Sequence, residues 1–171
     1  MVIFREKPKK GLIACGLLLL STGFDATSAF AANTAQITIT ATVNAECSVS
    51  APPTVDLGDI PFAAFNGKNA GEELTDYSKS FNISTTCSGT NKYRLAFTTP
   101  QTNYNCMTAT SGNLGFCLYD KGTGGNKIML ADVNSIEGEG TGATFRIVPV
   151  RVGTPTVGTH AASLTITISP M

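Results

Sequence analysis

Few residues in this sequence have the types and spacing that catalysis requires. The single histidine among the 171 residues, His160, follows a glycine turn and is expected to lie in a solvated loop. A serine or cysteine nucleophile needs a positioned imidazole base beside it, and a loop histidine of this kind does not supply one. Two carboxylate pairs, Glu72 with Glu73 and Glu137 with Glu139, occur in polar turns, where the burial that tunes a catalytic acid is not expected. The sequence therefore predicts that the protein is not an enzyme.

No cofactor or metal site is predicted either. Gly138, Gly140 and Gly142 resemble a phosphate-binding loop only superficially, because they do not follow a strand and open a helix. A zinc site needs several cysteine or histidine ligands at short spacing, yet no C-x-x-C occurs and the histidine is single. One histidine also excludes a copper–zinc site of the superoxide dismutase kind.

Residues 1–31 have the features of a secretory signal peptide. Basic residues at positions 5, 7, 9 and 10 precede the apolar run GLIACGLLLL at 11–20, and Ala29-Phe30-Ala31 forms an A-x-A cleavage sequence. An apolar run of this length is too short for a membrane-spanning helix, which needs about 20 residues. We therefore predict an exported chain that folds outside the reducing cytosol, in which residues 32–171 make up one domain's worth of sequence.

The charge of the exported chain excludes some partners. Removing residues 1–31 leaves 8 Lys and Arg against 10 Asp and Glu, a net charge of −2. Without a basic stripe, neither nucleic acid nor an anionic membrane surface is an expected partner, and no membrane insertion is predicted.

The exported chain keeps four cysteines, and an even number in an oxidising compartment indicates two disulfides. Three pairings are possible, and we favour Cys47–Cys87 with Cys106–Cys117. The second pair closes a short loop containing asparagines and glycine. The first pair would join two strands that are distant in sequence, which stabilises a fold by ~2–4 kcal/mol in the chain-entropy model.

Short strands separated by turn residues account for the rest of the chain. Alternating or apolar segments bounded by Gly, Asn, Asp, Ser and Thr clusters occur at 55–57, 78–87, 93–99, 114–120, 127–132, 144–152 and 162–169. No window has a sustained 3.6-residue period, so an all-β sandwich or barrel is predicted. Pro149 predicts that the strand at 144–152 lies at a sheet edge or bulges there, because proline cannot donate to a ladder.

The segment AQITITATV at 35–43, which we call the arm, alternates as a strand does but has no obvious partner in its own chain. Its apolar face consists of Ile37, Ile39, Ala41 and Val43. The connector Asn44-Ala45-Glu46 has no glycine or proline to form a tight hairpin before Cys47. Composition alone does not decide whether this segment pairs with another chain or forms an edge strand of the same sandwich.

The exported chain resembles, over its whole length, subunits of chaperone–usher pili, the type 1 fimbrial family, and its minor, tip-side members most. The resemblance rests on Cys47 opening a strand after a short extension, on Val55-Asp56-Leu57-Gly58, and on Cys87 closing FNISTTC. It also rests on Gly158, fourteenth from the C-terminus, which precedes an alternating last strand.

The resemblance implies an incomplete immunoglobulin-like sandwich over residues 47–171 and an N-terminal donor-strand extension over 32–46. It implies an apolar groove beside the last strand, with Gly158, Leu164, Ile166 and Ile168 at the groove. A periplasmic chaperone and then the arm of a neighbouring subunit, delivered at an outer-membrane usher, would fill that groove by strand addition. The implied function is a structural subunit of an adhesive surface fimbria.

The sequence departs from the family pattern in two places, and one alternative function is weighed. Pro170 stands where an aromatic residue usually does, which predicts an early end to the last strand. The pair Cys106–Cys117 is not a feature of the major type 1 subunit, and it either stiffens a loop or presents Tyr104 to a receptor. The alternative function is a tip adhesin or carbohydrate-binding sandwich, although a terminal adhesin has no use for a donor arm.

Overall fold

The structure is a computed structural model that describes residues 37–132 and 134–171, and these residues contain nine β-strands. The strands are β1 Glu46–Ser50, β2 Lys79–Ser88, β3 Lys92–Thr98, β4 Thr102–Asn103, β5 Cys106–Thr108, β6 Leu114–Asp120, β7 Ser135–Glu139, β8 Gly142–Arg151 and β9 Thr165–Pro170. Two short 3-10 turns, Phe62–Phe65 and Thr75–Tyr77, are the only helical elements of the described residues. None of them is a helix capable of crossing a membrane. The predicted signal peptide lies outside the described residues.

The strands form two antiparallel sheets. One has six strands in the order β1-β2-β8-β6-β5-β4, and the other has three in the order β7-β3-β9. The all-β prediction is therefore confirmed. Strands β2, β3, β6, β8 and β9 match five of the predicted segments closely.

The core lies between the two sheets and is built by the inward faces of their central strands. Leu95 and Phe97 of β3 are fully buried, and so are Leu118 of β6 and Phe145 of β8. The rings of Phe97 and Phe145 meet edge to face with centroids 5.4 Å apart, a favoured geometry for aromatic pairs. Burial of the alternating apolar side chains of these strands therefore stabilises the packing of the two sheets.

Three predictions about the strands were wrong. Residues 55–57 belong to no strand, although Val55 and Leu57 still pack against the core. Residues 127–132 form turns, with one bridge from Lys127 to Tyr119 and a hydrogen bond from Asp132 N–H to the Met129 carbonyl. The glycine-rich cluster at 137–142, expected to be a turn, contains most of β7 instead. Gly138 lies under the Tyr93 ring, where a Cβ would come within 2.6 Å of a ring carbon. A close approach between backbone and side chain thus explains a glycine that reads as a turn residue.

Pro149 does not mark a sheet edge, because β8 lies between β2 and β6. The ladder between β2 and β8 ends at the pair Lys79↔Ile147, two residues before Pro149. Beyond that point, Leu74 N–H donates to the Pro149 carbonyl over 2.8 Å. In a strand, a residue's nitrogen and carbonyl point to the same side, so the missing N–H of Pro149 faces this loop segment and leaves pairing with β6 intact.

Candidate functional site: an open strand edge and an apolar arm

Strand β9 is paired on one side only. Its register with β3 runs from Thr165↔Thr98 to Tyr93↔Pro170, and it is the last strand of its sheet. Within residues 37–132 and 134–171, no strand pairs with its other side, which we call the acceptor edge. Unpaired backbone donors and acceptors along a strand are a template for another extended segment.

The core is incompletely covered beside the acceptor edge. Leu164, Ile166 and Ile168 face the core but are only partly buried, in contrast to the fully buried residues of β3. Across the sandwich, Cys47 and Val49 of β1 are also partly buried against the same core. Cα atoms of β1 and β9 approach within 8 Å without hydrogen-bonded pairing. The predicted groove residues of β9 thus line an apolar seam between β1 and β9.

The loop that leads into β9 is fastened to the turn between β5 and β6. The Nδ1 atom of His160 lies 2.7 Å from the Ser111 hydroxyl oxygen, and its Nε2 atom lies 2.8 Å from the Thr156 carbonyl. The N–H of Thr110 donates to the Ala161 carbonyl over 3.0 Å. Gly158 has φ of +137°, which favours glycine. These contacts give His160 a role in positioning the segment that leads into β9, whereas Gly158, predicted at the groove, is exposed in this loop.

The described part of the arm carries exposed apolar side chains. The chain divides into one unit ending at Thr40 and another comprising Ala41–Met171. In the first unit, Ile37 and Ile39 are 84% and 89% exposed; in the second, Val43 is 93% exposed and Ala41 is also exposed. Residues 37–45 belong to no strand of the single chain, and the predicted pairing of the arm with another chain stays a prediction. Three large apolar side chains of the arm are thus left exposed, which is uncommon for apolar residues so close in sequence.

Both predicted disulfides, Cys47–Cys87 and Cys106–Cys117, are present. Each joins directly opposite residues of neighbouring antiparallel strands, with Cα atoms 4.1 Å and 4.2 Å apart. Cys47 and Cys87 are partly buried, whereas Cys106 and Cys117 are fully buried. The first bridge therefore anchors β1, which is the strand that follows the arm.

A polar cluster beside the second disulfide was missed, because Glu73 was expected to be an exposed turn residue. Its carboxylate accepts a hydrogen bond from the Tyr119 hydroxyl over 2.7 Å and forms a 3.0 Å ion pair with Lys127. Burial, followed by the hydrogen bond to Glu73 and the negative charge of that carboxylate, raises the pKa of Tyr119 to about 12. No sequence signal places these residues together, because they come from three separate segments.

This cluster does not form a metal centre. The Glu73 carboxylate lies within 4.8 Å of the sulfur atoms of Cys106 and Cys117. Those sulfurs are joined in a disulfide and offer no thiolate, which is the form that binds metals. The Arg146 guanidinium lies over the Tyr119 ring at 4.7 Å, so the cluster closes the outer face of the sheet near the buried disulfide.

Tyr104 lies at the tip of the β4–β5 hairpin. It forms a two-residue turn with Asn105, and both residues have positive φ, 51° and 59°, which is typical of a type I′ turn. The Tyr104 ring covers Gly71, where an added Cβ would come within 3.1 Å of it, and the side chain remains 45% exposed. One face of the ring is thus used in packing within the chain.

Comparison with known proteins places this geometry in a family. The family model described as "Fimbrial protein" matches residues 34–169, which is more than half of the chain. The search of curated proteins finds no match. The chain is similar to the P pilus rod subunit PapA, with a TM-score of 0.52 and 15% identity over 72% of this chain and 97% of PapA. At that identity the likeness shows the immunoglobulin-like pilin fold.

Two further similar structures have lower TM-scores and longer chains. The chain is 13% identical to a chain of the chaperone–tip adhesin complex of CFA/I fimbriae, with a TM-score of 0.48 and coverage of 73% of this chain and 41% of that one. It is 16% identical to the CupB6 tip adhesin from Pseudomonas aeruginosa, with a TM-score of 0.44 and coverage of 67% and 35%. The family match, together with the fold, shows that this chain belongs to the fimbrial protein family.

Proposed function

We propose that this protein is a structural subunit of an adhesive surface fimbria that polymerises by donor-strand exchange. The arm of one subunit adds a strand at the acceptor edge of a neighbour. The observation that supports this proposal is that the same chain has an open apolar edge beside β9 and an arm with exposed apolar residues. Main-chain hydrogen bonds provide affinity in such strand addition, and alternate side chains select the register.

The energetics favour intermolecular pairing. Burying Ile37, Ile39 and Val43 gains ~1.5–3 kcal/mol each. Ordering each arm residue costs about 1–2 kcal/mol of backbone entropy, so side-chain burial and ladder hydrogen bonds are needed together. The arm therefore binds stably only where an apolar seam and an unpaired edge coincide, as they do along β9.

An exported subunit with an open edge requires a temporary partner before assembly. A strand from a periplasmic chaperone occupies the acceptor edge, and the outer-membrane usher exchanges it for the arm of the next subunit. Before exchange, the uncovered chain self-associates because its edge pairs with other extended segments. The assembled subunit is located on the cell surface in the fimbria.

Deletion of residues 32–43 tests the donor role of the arm. The deleted chain should still co-purify with its chaperone but should fail to cap a preceding subunit, which is measured by fibre length in electron micrographs. A matched control replaces Thr38, Thr40 and Thr42 with serine, which changes the polar face of the arm and keeps its apolar face. Normal fibres from the deleted chain would contradict the proposal.

A further inference from the structure

The backbone groups that β9 presents to the acceptor edge follow from its register. In an antiparallel strand, the N–H and carbonyl of one residue point to the same side, and successive residues alternate. Met171 N–H donates to the Lys92 carbonyl over 3.1 Å, so Met171 faces β3. Counting back, Thr165, Thr167 and Ser169 also face β3.

The acceptor edge therefore carries the groups of the intervening residues. Leu164, Ile166, Ile168 and Pro170 point their backbone groups away from β3. The opposite side of β3 agrees with this alternation, since Phe97 N–H donates to the Asn134 carbonyl over 2.8 Å, on the side of β7. Leu164, Ile166 and Ile168 offer both a donor and an acceptor at the edge, whereas Pro170 has no N–H and offers only its carbonyl.

Pro170 is the last residue of β9 but does not shorten its pairing with β3, contrary to the prediction from sequence. It remains paired with Tyr93, and the chain continues its ladder one residue further to Met171. The Met171 carbonyl also accepts a hydrogen bond from the Thr90 hydroxyl over 2.9 Å. Because the missing donor of Pro170 faces outward, the proline leaves pairing with β3 intact and alters only the acceptor edge.

Strand β1, like β9, has backbone N–H and carbonyl groups that point away from its paired neighbour. Thr85 N–H donates to the Thr141 carbonyl over 3.1 Å, on the side of β8. The backbone groups of the odd-numbered residues of β2 therefore point away from β1. Cys47 and Cys87 have Cα atoms 4.1 Å apart, close to the ~4.5 Å of a pair without mutual hydrogen bonds. Cys47 and Val49 thus direct their backbone groups away from β2, at the free side of β1.

We propose that Pro170 limits the ladder formed at the acceptor edge and so fixes the register of the incoming strand. The occupant is an extended strand with apolar residues at alternate positions, as in the arm. It pairs with Leu164, Ile166 and Ile168 and finds no donor at position 170. If the incoming strand is shifted toward the C-terminus of β9, one of its carbonyls lies opposite Pro170 and meets no N–H donor. An unpaired carbonyl beside an apolar seam costs free energy, so this shifted register is disfavoured. This inference rests on the proposed function, because the occupant is a donated strand.

Amide hydrogen exchange on the full exported chain tests which backbone N–H groups of β9 face β3 and which face the acceptor edge. The chain carries Ile39→Lys to weaken its own arm, and the probe is a synthetic peptide of residues 35–45. In the free chain, the amides of Thr165, Thr167 and Ser169 should be protected, while those of Ile166 and Ile168 exchange quickly. Peptide addition should slow exchange at Ile166 and Ile168 by roughly tenfold or more. Protection of all five amides in the free chain, or new protection confined to Thr165 and Thr167, would overturn the inference.

The substitution Pro170→Ala tests whether Pro170 limits the hydrogen-bonded ladder at the acceptor edge. The alanine restores an N–H at the acceptor edge, so the lifetime of the peptide complex should increase by roughly fivefold, the effect of one net hydrogen bond. Ser169→Ala is the matched control, because its amide faces β3, and Pro100→Ala controls for loss of a proline elsewhere. Both controls should leave the lifetime unchanged.

The outcomes separate the two proposals. Peptide binding with the same lifetime in wild type and in Pro170→Ala would overturn the role of Pro170 and leave the donor-strand function standing. No peptide binding to either chain would overturn the donor-strand function, and this inference with it.

Discussion

Strands β8 and β9 each contain a proline, yet they differ in how completely they are partnered. Around Pro149, the chain itself fills the side that the missing donor faces, because Leu74 donates to the Pro149 carbonyl. Around Pro170, no strand of the described residues occupies that side. The side chains follow the same contrast, since Phe145 and Val148 of β8 are fully buried while Ile166 and Ile168 of β9 are partly buried.

This contrast shows that the sandwich is closed at one side and open at the other. The closed side contains the buried disulfide and the cluster around Glu73. The open side contains the acceptor edge and the partly buried disulfide that anchors β1. A strand added at the acceptor edge should therefore change the energetics of the open side and leave the closed side nearly unaffected.

The largest expected effect compares a core residue with a residue of the seam. Phe97→Ala should lower the free energy of unfolding by about 3–5 kcal/mol whether or not a strand is bound, because Phe97 is fully buried in the free chain. Ile168→Ala should cost about 1 kcal/mol in the free chain and about 2–4 kcal/mol when the peptide of residues 35–45 is bound. Urea unfolding with and without the peptide measures both. Equal costs of Ile168→Ala in the two states would contradict an open seam.

The two disulfides provide the next comparison. Cys47–Cys87 spans 40 residues and Cys106–Cys117 spans 11, so the chain-entropy model gives about 4 and about 3 kcal/mol for their removal. Under mild thiol reductant, the partly buried Cys47–Cys87 should open first, because a reductant reaches the fully buried bridge only after local unfolding. Alkylation followed by peptide mapping gives the order. Simultaneous reduction of both bridges would show that the open side is not the less protected one.

The smallest effect concerns Tyr119, which belongs to the closed side. Its pKa is raised to about 12 from an ordinary value of about 10, so the folded protein holds this proton more tightly than the unfolded chain. The contribution of Tyr119 to the free energy of unfolding should therefore be constant below pH 10 and should be lost as pH rises from 10 toward 12.

Tyr119→Phe should remove this contribution to the fall, as measured by urea unfolding across that pH range. Absorbance at 295 nm of the wild type should show one tyrosine titrating near pH 12. An unchanged pH profile in Tyr119→Phe would assign the alkaline fall to other groups.

Local patterns in the sequence predicted much of the fold. Period-2 alternation located β2, β3, β6, β8 and β9, because each has one face on the core. The two disulfide pairs were also predicted. Strand β7 was missed because Gly138 is required by the Tyr93 ring of a neighbouring strand, a contact that no local pattern encodes.

Tertiary contacts explain the rest of what the sequence did not reveal. Glu73 reads as an exposed turn residue, and only the meeting of three segments makes it a partly buried partner of Tyr119 and Lys127. The effect of Pro170 depends on whether its backbone nitrogen points toward β3 or away from it. The register of β9 with β3 sets that direction, and composition does not reveal it. The arm was predicted from its alternation and the residues of the acceptor edge from the family resemblance, and their functional pairing stays a prediction.

The bridge at the second residue of β1 has a mechanical consequence for the proposed fibre. Tension transmitted through the arm enters the chain just before Cys47, whose covalent link to Cys87 passes the force directly to β2. The hydrogen bonds of Ser48–Ser50 are shielded from peeling, and the segment between the two cysteines cannot be drawn out while the bridge is intact. Residues 48–86 therefore add no length to a stretched fibre while this bridge holds.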